Sequence, residues 1–284
     1  MDALKVKEIS KRFGKKEVLK GIDFELKTDK IYGLLGRSGA GKSTLLNIMN
    51  NRLLPTNGTV LLDGEVVFEN DSKLKRLFLA NDRSLFPKEM KVKEAFKAAS
   101  SFVEDFDEEE CQRLCQLFDL NLKSKIVKLS TGYHSVFKFI LALSMPASFV
   151  FLDEPVLGLD AVHRELFYEQ LLAAYEKRPR TFVISTHLIE EVGHLIEEAL
   201  ILHHGKIVAN GNVEELLADA FSVTGEASLV EETVKGFDVM GSENLGGLKT
   251  VYVKKGNLEM DSRLTVQPLD LQKYFVWLTR GGKS

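Results

Sequence analysis

The run Gly36-Arg37-Ser38-Gly39-Ala40-Gly41-Lys42-Ser43 stands directly after the apolar stretch Ile31-Tyr32-Gly33-Leu34-Leu35 and before Thr44-Leu45-Leu46-Asn47-Ile48-Met49. A strand, a glycine-rich turn and a helix in that order is the context in which this spacing cradles phosphate. Glycines let successive backbone N–H groups converge on phosphate oxygens, and the helix N-terminus adds its partial positive charge at the same point. Gly36 through Thr44 are therefore the candidate nucleotide-binding residues. Lys42 is placed to face the terminal phosphates, and the Ser43 hydroxyl to take one position on Mg²⁺.

Two later segments repeat the design of an apolar strand ending in polar residues. Phe149-Val150-Phe151-Leu152 runs into Asp153-Glu154, and Thr181-Phe182-Val183-Ile184-Ser185-Thr186 runs into His187. Short, continuously apolar strands are buried on both faces, as in parallel sheets. Ligands in such sheets collect at the carboxyl ends of the strands. Taken alone, an Asp-Glu pair at a strand end is as readily a turn, and a lone histidine there is usually a hydrogen-bonded structural residue.

Elsewhere the pattern differs. Leu4–Ile9 and Ile22–Leu26 alternate apolar and charged residues, as half-buried antiparallel strands do, and 57–64 is a further strand between turn pairs. Residues 88–145 read as mostly helical, with the acidic run 104–110 a solvated helix start. Beyond residue 220, strands are expected at 221–223, 249–253 and 264–266, and helices at 226–234 and 271–278, the latter capped by Asp270. Gly241-Ser242-Glu243-Asn244-Leu245-Gly246-Gly247 reads as a hairpin loop.

The 284 residues accommodate one large domain or two unequal ones. A formal charge of −3 gives no overall pull towards nucleic acid, and none is expected as a partner. No stretch approaches the roughly eighteen apolar residues of a membrane span, and the N-terminus lacks the apolar core of a signal peptide; a cytoplasmic location is the expectation. Cys111 and Cys115, four apart, have no further ligand pair near them and read as reduced helix cysteines.

Over residues 1–220 the order of these segments resembles the nucleotide-binding subunit of ABC transporters. The fold implied is α/β: a P-loop NTPase core of the ABC ATPase type, with an antiparallel β subdomain and a helical subdomain at about 88–145. A small α+β C-terminal domain at 221–284 completes it. By that resemblance Asp153 binds Mg²⁺, Glu154 polarises the attacking water, and His187 contacts the γ-phosphate of ATP, so that Glu154, His187 and Lys42 form the catalytic set. Phe13, in Lys11-Arg12-Phe13-Gly14, aligns with an adenine-stacking aromatic, although a core phenylalanine would look the same. Asn81 stands where the family has a glutamine that reaches the metal. Leu129-Ser130-Thr131-Gly132-Tyr133 stands where it usually has Leu-Ser-Gly-Gly-Gln, and Leu159-Asp160 matches the loop that meets a second subunit. Ser130, Thr131, Gly132 and Asp160 are thus expected to contact nucleotide held by a partner cassette.

The resemblance implies ATP and Mg²⁺ as ligands, a dimer of ATPase subunits, identical or not, and a separate transmembrane permease, with this chain peripheral on the inner face of the membrane. The altered signature and the C-terminal extension are similar to those of bacterial subunits for export of antibiotics or antimicrobial peptides. A low-activity half of a heterodimer and a soluble non-transport ABC ATPase stand as the alternatives, and support of the dimer is the role expected of the extension.

Overall fold

The computed structural model describes residues 3–83, 85–254 and 262–280; residues 255–261 and 281–284 of the expected C-terminal unit lie outside it. In chain order, β1 (Ala3–Phe13) and β2 (Lys16–Lys27) form a hairpin, and β3 (Ile31–Leu35) leads into α1 (Lys42–Met49). Then come β4 (Asn57–Leu62), β5 (Glu65–Val66), α2 (Asp71–Leu74) and β6 (Leu77–Ala80). A helical stretch follows: α3 (Val92–Phe102), α4 (Glu108–Leu117) and α5 (Thr131–Ser144). Next are β7 (Phe149–Asp153), α6 (Ala161–Lys177), β8 (Thr181–Thr186), α7 (Ile189–Val192), β9 (Glu198–His203), β10 (Lys206–Asn212) and α8 (Val213–Leu217). The chain ends with β11 (Ala220–Glu226), α9 (Ala227–Thr233), β12 (Asp238–Leu245), β13 (Leu248–Lys254), β14 (Thr265–Pro268) and α10 (Leu271–Arg280).

The central six-stranded sheet has the order β10-β9-β3-β8-β7-β6, with β9, β3, β8, β7 and β6 parallel and β10 antiparallel at one edge. Its strands are apolar throughout because each face meets a different core, and successive side chains point to opposite faces. Phe149 and Phe151 of β7 pack with α1 and the antiparallel sheet β2-β1-β4-β5. Val150 and Leu152 pack on the other face with α3, α4, α5 and α6. The first hairpin is longer than the alternation suggested. A register shift between Val6 and Ile9, with Glu8 at φ +50°, moves the inward face from even to odd residues.

A third sheet, β12-β13-β11-β14, is wholly antiparallel and carries α9 on one face, where Val223, Val230, Val251 and Val253 are buried together. The expected loop at 241–247 is strand as far as Leu245, and only Gly246-Gly247 form the turn, Gly246 at φ +61°. Gly241 is there for closeness: a Cβ on it would lie 2.2 Å from the Trp277 ring. Asp270 does start α10, accepting from the Lys273 N–H at 2.7 Å. Both cysteines are free and buried, on α4.

α10 turns its apolar side to the part built on the central sheet, packing on α7 and α8, so that Tyr252, Leu271, Tyr274 and Phe275 join the large core with α5 and α6. Tyr274 has no exposed surface, and its hydroxyl accepts from Lys254 Nζ at 2.8 Å. Tyr274→Ala should therefore cost about 3 kcal/mol of global stability. Urea unfolding followed by both far-UV signal and Trp277 fluorescence should give one coincident transition.

Candidate functional site

The carboxyl ends of β3, β7 and β8 meet at one edge of the sheet. After β3, Gly39 at φ +78° and Gly41 at φ +112° take left-handed conformations that side chains rarely adopt. At Gly36 a Cβ would lie 2.7 Å from the carbonyl oxygen of Leu202. Arg37, Ser38, Gly39 and Ala40 line a cleft of about 360 Å³ whose other wall carries Lys16, Glu17, Lys20, His203 and His204, so Arg37 and the two lysines outnumber its one carboxylate. Lys42, the first residue of α1, is only 7% exposed; its Nζ donates to the Gly36 carbonyl at 2.7 Å and stands 3.4 Å from Glu154 Oε1. Ser43 and Thr44 follow it in the first turn of a helix whose N-cap, Gly41, offers no side chain.

Glu154 takes the left-handed conformation, φ +47°, which costs a non-glycine residue of order 1 kcal/mol and clusters at functional sites. Its N–H donates to the Ser185 carbonyl at 2.9 Å, while its other carboxylate oxygen lies 2.9 Å from His187 Nδ1. The carboxylate is thus shared between a buried lysine and an exposed imidazole. Asp153 accepts from Ser185 Oγ at 3.0 Å. Burial pushes its carboxyl above the usual aspartate range, and the Ser43 and Ser185 hydroxyls work against that rise. A hydroxyl and a desolvated carboxylate on adjoining elements are hard oxygen donors that suit Mg²⁺, which takes few protein ligands and completes its shell with water and phosphate.

Asn81, 4% exposed at the end of β6, is engaged elsewhere. Its Oδ1 accepts from Arg52 Nη1 at 3.3 Å and from the Arg83 N–H at 3.1 Å, and its Nδ2 donates to Asn47 Oδ1 at 3.2 Å. Asn47 in turn donates to the Ser43 carbonyl at 2.6 Å, so Asn81 reaches the phosphate loop through α1. Asn47 and Arg52, on α1 and in the turn just after it, carry no local signal of this pairing, because Asn81 reaches them from the distant end of β6. Phe13 sits at the tip of the first hairpin, 49% exposed, with Lys11 Nζ 5.1 Å from its ring centroid; it is not a core residue.

Ser130 caps α5, accepting from the Tyr133 N–H at 3.2 Å. Gly132 meets the loop after β7 backbone against backbone: a Cβ there would lie 2.5 Å from the Gly158 carbonyl oxygen. Ser135 Oγ ties the same loop by donating to the Leu157 carbonyl at 2.8 Å. Asp160, exposed, caps α6 and lies 3.0 Å from His163 Nδ1, and the Tyr133 ring packs edge-on to His163. Ser130, Gly132 and Asp160 thus share a small surface with Thr131 beside it, at a distance in sequence from the phosphate loop. Gly158 and His163 were missed in the sequence, though a glycine between Leu157 and Leu159 was a visible signal of close approach.

A family model described as "ABC transporter" matches residues 19–157. An uncharacterised ABC transporter ATP-binding protein of Methanocaldococcus jannaschii is 33% identical over 219 residues, 75% of this chain and 79% of that one. The chain belongs to the family of ABC transporter ATP-binding proteins. Two further relatives align over almost the whole length. The bacitracin transport ATP-binding protein BcrA of Bacillus licheniformis is 23% identical over 98% of both chains. The ABC transporter ATP-binding protein YtrB of Bacillus subtilis is 22% identical over 96% of this chain and 97% of its own. Among solved structures, the ATP-binding subunit of an ABC transporter superposes with a TM-score of 0.68 at 22% identity, over 76% of this chain and 92% of that one, and shares the fold. ABC ATP-binding subunits bind ATP, dimerise and work with transmembrane components. No helix among the described residues is long and apolar enough to cross a membrane.

Because Gly132 faces backbone, Gly132→Ala forces α5 and the 155–159 loop apart. It should lower stability by about 1–3 kcal/mol and reduce ATP turnover more than ATP affinity, checked by urea unfolding together with steady-state hydrolysis and nucleotide titration.

Proposed function

We propose that this chain binds and hydrolyses ATP, closes against a second cassette when ATP is bound, and powers a separate permease that exports an antimicrobial peptide or drug. The observation that carries the reading is the shared carboxylate of Glu154, set between Lys42 and His187 at the carboxyl ends of parallel strands. Phosphoryl transfer asks a protein for charge neutralisation and a positioned nucleophile. The backbone of Gly36–Ser43 cradles the phosphates, and the Lys42 ammonium faces the terminal ones. Glu154 holds and polarises the attacking water. His187 uses one ring nitrogen on Glu154 and has the other for a phosphate oxygen, which aligns water and phosphate. Ser43 and Asp153 would hold Mg²⁺, which when bound would supply charge to neutralise the phosphate oxygens. Phe13 stacks on the adenine. Ser130, Thr131, Gly132 and Asp160 meet the nucleotide of the partner cassette, as the family resemblance implies; Ser130, Gly132 and Asp160 line a cleft that shares no residue with the one beside Arg37–Ala40.

The permease docks at a cleft of about 370 Å³ between the 81–88 segment and α5, whose wall includes the half-exposed apolar residues Leu85 and Val127. That docking places the subunit on the inner face of the membrane. Support for export comes from the relatives that align along the full length, C-terminal unit included, one of them named for bacitracin transport. A second reading, the less active half of a heterodimer, is favoured by the engagement of Asn81 with Arg52 and of Tyr133 with His163. In it, the partner supplies the faster site.

Glu154→Gln should retain ATP binding, lower turnover about a hundredfold or more, and run as a dimer in Mg-ATP by size-exclusion mass analysis. Lys42→Ala should lose nucleotide affinity. Wild-type turnover in Glu154→Gln would refute the catalytic assignment. A wild-type protein that binds ATP yet stays monomeric and idle would favour the heterodimer.

A further inference from the structure

α7 begins two residues after His187 and has only four residues, Ile189–Val192. One turn of helix does not hold itself in water, so its position is set by what grips it. At its near end the Leu188 N–H donates to Thr186 Oγ1 at 3.0 Å, which ties the segment to the end of β8. On one flank Glu191 accepts from Arg164, and from the Tyr168 hydroxyl at 3.3 Å, both on α6. On the other flank stands the C-terminal unit. The Glu190 N–H donates to Gln272 Oε1 at 3.2 Å, and Gln272 Nε2 donates back to Glu190 Oε1 at 2.6 Å. This reciprocal pair sits over apolar packing of α10 on α7, with Ile189, Val192, Leu271 and Phe275 in one core. α10 is itself anchored at its first turn by Asp270, so Gln272 is presented from a fixed element.

We propose that Gln272 and Glu190 are positioning residues for His187, so that the C-terminal unit governs how fast ATP is hydrolysed without governing how tightly it binds. The inference rests on the reading that His187 serves turnover. The physical link is short: His187 lies between a strand end fixed by the central sheet and a one-turn helix held by α10. Releasing Glu190 widens the range of positions open to the imidazole. The phosphate loop and Phe13, which carry affinity, lie on other elements and are untouched.

The geometry offers a test by exchange. Glu190→Ala and Gln272→Ala each remove the reciprocal pair. In the double variant Glu190→Gln/Gln272→Glu both bonds survive, since the residue-190 N–H and the new amide both donate to a carboxylate at 272. Each single variant should lower kcat about fivefold, the factor one exposed charge-assisted pair commands. ATP affinity should stay near wild type, the unfolding free energy should fall by no more than the roughly 1 kcal/mol that a fivefold factor represents, and hydrogen exchange at 187–193 should quicken. The exchanged pair should return both kcat and exchange to within about twofold of wild type. Wild-type kcat and exchange in the singles would overturn the proposal. So would a parallel loss of affinity and stability, or an exchanged pair as slow as the singles. Faster hydrogen exchange in the singles with undiminished kcat would show the grip without its catalytic consequence, and would overturn the positioning role. Undiminished kcat in His187→Ala would instead refute the parent reading of that histidine, whatever the exchange data show.

Discussion

Parallel pairing of β3 with β8, and of β8 with β7, is the constraint on which the site depends. The backbone ladder sets Leu35 opposite Thr186, and Asp153 opposite Ser185. The phosphate loop, the carboxylate pair and the histidine therefore leave the sheet at one level. Side chains alternate with period two, so a slip of one residue in either ladder would turn Asp153 away from Ser185 and send phenylalanines into the wrong core. Phe149 and Phe151 on one face, with Val150 and Leu152 on the other, resist that slip because one face packs on α1 and the antiparallel sheet and the other on α3–α6.

The features legible in the sequence are those encoded locally. The glycine turn expected between β3 and α1 is there, with Gly39 and Gly41 in left-handed conformations, and the apolar runs of β3, β7 and β8 lie in the middle of the sheet. What the sequence hid depends on contacts between distant segments. The bonds from Asn81 to Arg52 and Asn47 join the end of β6 to α1 and the turn just after it, segments that no local pattern relates. Gly241-Ser242-Glu243-Asn244 has the composition of a loop, yet it is strand. The small residue at its head is explained only by the indole of Trp277, thirty-six positions later. The helix at 271–278 and its Asp270 cap were legible, but not the surface that buries Tyr274 and Phe275.

That surface decides how the last part of the chain is to be understood. α9 closes a small apolar cluster against its own sheet, while α10 contributes Tyr274 and Phe275 to the core beneath the catalytic helices. The C-terminal unit thus has one face of its own and one held in common with the rest of the molecule. Truncation before it would uncover a shared core, so single substitutions at its contacts report on its role more cleanly than removal does.

The approach of Gly132 to Gly158 has a mechanical consequence. With no side chain between the two backbones, and Ser135 bonded to the Leu157 carbonyl, the start of α5 and the loop that follows Glu154 form a joint without compliance. Phe137, Lys138 and Leu141 of the same helix line the cleft beside the 81–88 segment. The helix that lines that cleft thus also makes the backbone contact at Gly158, four residues from Glu154.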